Sequence, residues 1–322
     1  MAERVIKALG RRFPNRRRLG HYRYDHYAAV ALFILLQAAV FVPALGVIAA
    51  VDPFPAWPPA LRAAMLAAAA LGGACVLYGR FVEPFRLTVR TVELVSPKVG
   101  PEPVRLLHLS DMHVGSWGRL EDKLVAAARE LKPDAIVLTG DYTAHRWVLA
   151  DARRLLRELA EVAPTCASLG NAESREPLFT ELWRDTGVIG LVNKSADLEA
   201  RGTRLRLTGV VPGEEDAVMR LGGNFDGYSI CLYHYPDLVP EVGRLPYDLM
   251  LCGHTHGGQI QLPLIGALIT ACRADRRYAR GLFQKNGKAA FVTQGVGCES
   301  HGIPRVRFGC PPEAALLVLR RP

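Results

Sequence analysis

The strongest constraint in this chain is a recurrence. Short apolar runs at 104–109, 135–139, 166–169, 230–232 and 248–252 each give way to Asp, Asn or His. The endings are Ser110-Asp111-Met112-His113, Gly140-Asp141, Gly170-Asn171, His234 in Leu232-Tyr233-His234-Tyr235-Pro236, and Gly253-His254-Thr255-His256. Short apolar runs bounded by turn residues read as strands buried on both faces, as in a sheet covered by helices. Ligands of such sheets gather outside the carboxyl ends of the strands. Carboxylate, carboxamide and imidazole without thiolate suit a hard or borderline divalent cation.

The segments between these runs support a layered α/β core. Leu120, Leu124, Ala127, Ala128 and Leu131 recur at helical spacing, and Lys132-Pro133 stops that helix. A second amphipathic helix is expected over 149–162. Beyond Gly187 the pattern turns to β-like runs at 188–192, 205–210 and 228–232, then 289–293, 305–308 and 314–319. Gly253, Gly257 and Gly258 let the chain turn sharply around His254 and His256.

Taken in order, Asp-x-His, Gly-Asp, Gly-Asn, a lone His and Gly-His-x-His resemble the calcineurin-like metallophosphoesterase superfamily. The likeness runs from about Val104 onward. The run from Gly253 to Ile260, and the segment from Gly302 to Glu313 with its Cys310-Pro311-Pro312, are similar to its membrane-anchored bacterial branch. The resemblance implies a two-sheet β-sandwich flanked by helices and two divalent cations, Mn, Fe or Zn. It assigns Asp111, His113 and His256 to one cation and Asn171, His234 and His254 to the other, with Asp141 bridging. Asp141, Asn171 and His254 are its expected catalytic residues. Two cations about 3.5–4 Å apart can clamp the attacking and leaving oxygens of a phosphoryl group.

One position departs from the family pattern. Where the superfamily usually carries His after Gly-Asn, this chain has Gly170-Asn171-Ala172-Glu173. Ala172 cannot protonate a leaving group, a contribution typically worth about 10²–10⁴-fold. Simple alkyl monoesters are therefore poor candidates. Pyrophosphates suit the site better, and the hydrolases of UDP-2,3-diacylglucosamine are similar in lacking that His. His145, Arg146 and His301 are the candidates to touch substrate, with Arg175 and Arg305 as further arginines able to hold a phosphate oxygen. His108 lies inside the first run and reads as packed rather than ligating.

The start of the chain has a different chemistry. Residues 1–26 hold eight Lys or Arg against two acidic residues, which accounts for six of the nine net positive charges. The uncharged run 27–51 is long enough to cross a hydrocarbon core, and 63–79 is at the short end for doing so. A linker rich in proline separates them. The basic tail before the first span puts the N-terminus in the cytoplasm and, after a two-helix hairpin, the catalytic domain too. The arginine pairs Arg11-Arg12 and Arg16-Arg17 leave an export signal, and the opposite face, as the alternative. The expected organisation is a basic tail (1–26), a transmembrane hairpin (27–80), a connector (81–103) and a metallophosphoesterase domain (104–322).

Seven scattered cysteines without CxxC spacing read as free thiols rather than a disulfide framework. No basic stripe with interleaved aromatics marks the catalytic part, so nucleic acid is not an expected partner. The function expected is a membrane-anchored dimetal hydrolase of a phosphoanhydride or phosphodiester, with a lipid-linked or sugar-nucleotide phosphate as substrate. The alternatives are a broad phosphodiesterase and a non-catalytic metal-binding scaffold that kept the fold.

Overall fold

The computed structural model describes residues 58–143, 146–175, 179–267, 270, 272–299 and 305–322. The basic tail and the first apolar run, 27–51, lie outside the described residues.

The described chain opens with helix α1 (Pro59–Phe81), which has proline at its first position, where the missing N–H costs nothing. Only Gly79 is buried along it, so it is not a core helix. Among the described residues it is the one helix long and apolar enough to cross a membrane.

Strand β1 (Thr88–Val95) follows, in the stretch read from sequence as a connector. It is the edge strand of the first sheet, paired in parallel with β14 (Glu313–Arg320). Next come β2 (Val104–Leu109), α2 (Arg119–Leu131), β3 (Ala135–Leu138), α3 (Leu149–Val162), β4 (Thr165–Ala167), the short helices α4 (Asn171–Arg175) and α5 (Phe179–Leu182), and β5 (Ile189–Gly190). Helix α2 ends as its sequence implies, with Lys132 left-handed just before Pro133. The first sheet runs β1-β14-β2-β3-β4-β5, and β14 lies antiparallel to β2.

The second half supplies β6 (Lys194–Ala200), β7 (Thr203–Val210), α6 (Glu215–Leu221), β8 (Tyr228–Tyr233) and β9 (Leu249–Cys252). The small hairpin β10 (Gln261–Leu262) and β11 (Gly266–Ala267) follows, then β12 (Gly281–Lys285) and β13 (Lys288–Val292). The second sheet runs β12-β13-β9-β8-β7-β6. The segment 305–308, expected as a strand, makes only a single bridge, between Phe308 and Ile260.

Alternation along each strand divides the side chains between two layers. Leu106, Val137, Leu205, Leu207, Ile230, Leu232, Leu249, Leu251, Phe291 and Leu317 meet between the sheets. Leu107, Leu109, Ile136 and Leu138 face outward onto Leu124, Ala128, Leu155, Leu156 and Leu159 of α2 and α3. The second sheet is covered in the same way by Val218, Leu238, Val239 and Val242. Both sheets are thus buried on both faces, which is why their inner strands carry unbroken apolar runs. The sandwich is the αββα architecture expected from the sequence. It leaves one end, at the carboxyl termini of β2, β3, β4, β8 and β9, for polar side chains.

Candidate metal centre

Five of the expected ligands sit in the left-handed backbone region: Asp111 (φ 51°), His113 (φ 38°), Asp141 (φ 55°), His254 (φ 72°) and His256 (φ 50°). Such conformations cost a non-glycine residue on the order of 1–3 kcal/mol each and persist only where the surroundings impose them. Their effect here is geometric. An extended strand holds residues two apart at roughly 6.6 Å. The left-handed turns instead fold Asp111 and His113 toward one point and send His254 and His256 to two different ones.

Backbone hydrogen bonds lace the loops together. Asp111 N donates to Gly140 O (2.9 Å), His113 N to Asp141 O (3.0 Å) and Gly253 N to His234 O (3.0 Å). Glycine is required where these loops touch. A Cβ on Gly140, itself at φ +96°, would lie 2.2 Å from Gly170 N, and one on Gly253 would lie 2.2 Å from Asp111 Oδ2.

The side chains converge in two groups. Asp111, His113 and His256 form one, and Asp141, His234 and His254 the other. Within each group the donor atoms lie within 4.8 Å of one another. Asn171 joins the second group, its Oδ1 3.1 Å from His234 Nε2. Asp141 Oδ2 stands between the groups, 3.7 Å from His113 Nε2 and 3.5 Å from His234 Nε2. All seven residues expected as ligands are therefore gathered at one end of the sandwich.

The donor chemistry fits divalent cations. His234 Nδ1 donates to Thr139 O at 2.7 Å, and its Nε2 faces the oxygens of Asn171 and Asp141. Likewise His113 Nε2 and His256 Nε2 face each other at 3.1 Å. Imidazole nitrogens, carboxylate oxygens and an amide oxygen converging in a buried pocket are a donor set that a divalent cation would satisfy. Burial alone would lower the His234 imidazole, but the carboxylates of Asp141 and Asp111 raise it to about 9. Burial raises the Asp111 carboxyl. It pushes Asp141 up as well, yet His234 and His113 hold that carboxyl well below its usual range. His256 is driven well down by burial, with the His113 ring and the Arg307 guanidinium adding to it.

Two supporting residues carry no metal-ligand signature in the sequence. Glu173 is buried, and its carboxylate accepts from Asp141 N (2.9 Å), Tyr142 N (2.9 Å) and Gly170 N (3.0 Å). It pins the loops after β3 and β4 to each other, and burial together with the nearby Asp141 raises it to about 7. Its only sequence trace is an acidic residue two places after Asn171. Arg307 is fully buried. It donates to Gly297 O (Nε, 2.9 Å), Cys310 O (Nη1, 2.9 Å) and Gln294 O (Nη2, 2.9 Å), and Nη2 lies 3.4 Å from His256 Nδ1. Nothing in its sequence setting distinguishes it from a surface arginine.

Of the candidate substrate contacts, His145 and His301 lie outside the described residues, as do the side chains of Arg146 and Arg175. Arg305 donates from Nη2 to His113 O at 2.8 Å, so it braces the site wall. His108 is buried between the sheets as expected, with Nε2 2.9 Å from Thr139 Oγ1.

The family model described as calcineurin-like phosphoesterase matches residues 104–258. Phosphodiesterase YaeI of Escherichia coli is 30% identical over 261 residues, 75% of this chain and 92% of that protein. This chain belongs to the calcineurin-like phosphoesterases. Metallophosphoesterase YkuE of Bacillus subtilis is 29% identical over 80% of this chain and 94% of its own length. A zebrafish transmembrane protein with a metallophosphoesterase domain is 28% identical over 68% of this chain and 53% of that protein. As a calcineurin-like phosphoesterase this chain is a metal-dependent hydrolase of phosphate esters, and the two side-chain groups at the strand ends are able to hold metal.

Proposed function

We propose that this phosphoesterase is a membrane-anchored, two-cation phosphodiesterase-type hydrolase. Asp111, His113 and His256 would hold one cation, and Asn171, His234 and His254 the other. The observation that carries the reading is the Asp141 carboxylate, placed between both groups and within reach of each. The cations would supply Lewis-acid stabilisation of phosphoryl oxygens.

The chain's own residues set the rest. The Ala172 N–H donates to Asp141 Oδ1 at 2.9 Å and orients the bridging carboxylate, while Glu173 holds the Asp141 backbone N–H. The methyl group of Ala172 has no proton to give. Substrates with weakly basic leaving groups are favoured, namely phosphoanhydrides and activated diesters, with a lipid-borne or sugar-nucleotide phosphate such as a UDP-2,3-diacylglucosamine-like compound the class that suits an anchored enzyme. The phosphodiesterase name of the Escherichia coli relative supports cleavage of diesters.

The anchor reading rests on α1, on the uncharged run 27–51 before it, and on the transmembrane zebrafish relative. The basic tail supports a cytoplasmic catalytic face. The test is metal analysis of the full chain in detergent, with hydrolysis of bis-p-nitrophenyl phosphate after Mn²⁺ addition. Two metals per chain and turnover are expected. A folded protein that binds metal but hydrolyses nothing would be the non-catalytic scaffold, and one that binds no metal overturns the two-cation reading.

A further inference from the structure

We infer that the β10–β11 hairpin is a second membrane contact, an apolar tip that dips into the bilayer surface beside the metal centre. The inference rests on the proposed insertion of α1 in a bilayer.

The hairpin starts five residues after His256, and its connection, Pro263-Leu264-Ile265, points apolar groups outward. Leu264 is fully exposed and Ile265 is 53% exposed. No charged residue occurs from 257 to 272. An exposed loop in a water-soluble setting would carry polar residues at such a tip; adjacent exposed aliphatic side chains mark a contact surface.

Its position identifies the occupant. Gln261 N donates to Phe308 O (2.7 Å) and Phe308 N to Gln259 O (2.9 Å), so the hairpin grows from the 306–308 segment. That segment is also the seat of α1, because Arg307 N donates to Gly79 O (2.9 Å) and Tyr78 packs edge-on against Phe308. One short piece of chain thus holds both the base of the apolar helix and the root of the apolar tip. On the other flank, Thr255 Oγ1 donates to Ala279 O (2.5 Å), which fixes the turn carrying exposed Arg276 and Arg277 to the same loop. An apolar tip and exposed arginines tied to one loop fit the headgroup layer of a bilayer containing anionic lipid.

The opposite end of the sandwich provides the control. Val95 is 64% exposed and ends β1 far from the site, paired with Arg320. We would place the full chain in vesicles of phosphatidylcholine and phosphatidylglycerol, some carrying acyl-chain bromines, and read tryptophan fluorescence of Leu264→Trp and Val95→Trp against the parent. The parent's four tryptophans form a common background. The added signal at 264 should be quenched by bromines near the top of the chains, and that at 95 should not. A protein that stays with the vesicles through an alkaline wash while residue 264 escapes quenching overturns the hairpin contact and leaves the anchor standing. A protein stripped from the vesicles by that wash overturns both.

Discussion

The two halves of the metal centre are built differently. In the first, Asp111, His113 and His256 are all buried, and the backbone around them is tied down: Arg305 to His113 O, Cys310 Sγ to His256 O, and His254 N to both oxygens of Asp111. In the second, Asp141 and His234 are buried, but Asn171 and His254 are partly open. A closed ligand set holds a cation, whereas an open one leaves room for what the cation acts on. On the proposed two-cation reading, the first group would retain its cation and the second would be the side that substrate approaches.

Asp141 belongs to both halves, so its loss should have the largest effect. Asp141→Asn is expected to lower diester turnover by about 10³-fold or more, on the scale of removing a main electrostatic group, and to reduce both metals while the fold is retained. Atomic spectroscopy with circular dichroism checks this; a variant with two metals and near-normal rates would erase the distinction between bridge and ligand.

Ala172→His sharpens the open half alone. Turnover of alkyl diesters should rise about 10–100-fold, as a partly aligned general acid permits, with pyrophosphate cleavage little changed. The measurement is a leaving-group series on both proteins. A parent already indifferent to leaving-group basicity would mean that another side chain supplies the proton.

Arg307→Lys tests the closed half. It keeps the buried charge but loses the planar fork that spans the carbonyls around His256. Affinity at one of two metal sites should fall by roughly 10-fold, the lower end for supporting residues of metal ligands. Manganese titration followed by spin resonance should show one site weakened and one unchanged; equal weakening of both would break the proposed division.

A last effect, on stability alone, belongs to neither half. Burial lowers His108 from 6.5 to about 3. The unfolded chain therefore takes up a proton below pH 6.5 that the folded chain refuses, and stability falls between pH 6.5 and 3. His108→Gln should remove up to about 1.4 kcal/mol per pH unit of that slope. Glu173 runs the other way. Burial and Asp141 raise it to about 7, so its contribution is lost as pH rises from 4.5 toward 7, and the difference between variant and parent isolates His108. Urea unfolding at pH 4.5, 5.5 and 7 reads it.

What the sequence revealed follows the same physics. Strands β2, β3, β8 and β9 are covered on both faces, so their apolar runs are unmistakable, and the ligands mark their ends. The edge strands are harder to read: the connector at 85–102 shows only two short β-like runs where β1 forms, and β6 and β12 leave no clear signal. β1 and β6 alternate charged and apolar residues with little burial, and β12 ends on Gln284 and Lys285, so solvent-facing side chains hide the pairing. The run 305–308 gave the opposite error. Its alternating arginines look like a strand, but Arg307 turns inward to collect backbone carbonyls, and ladder pairing stops at one bridge. Glu173 and Arg307 act on main-chain atoms contributed by distant loops, and no local pattern encodes such partners.

Strand β14 lies between β1 and β2 although more than 200 residues separate it from β2 along the chain. Every candidate ligand is therefore synthesised before the strand that closes the first sheet. Until β14 arrives, β2 has an open edge on the side away from β3, and Asp111 and His113 hang from a strand paired on one side only. Long-range pairings of this kind are slow to form. The pieces of the candidate centre are thus made early, and the strand that carries Asp111 and His113 gains its second neighbour only when β14 pairs with it.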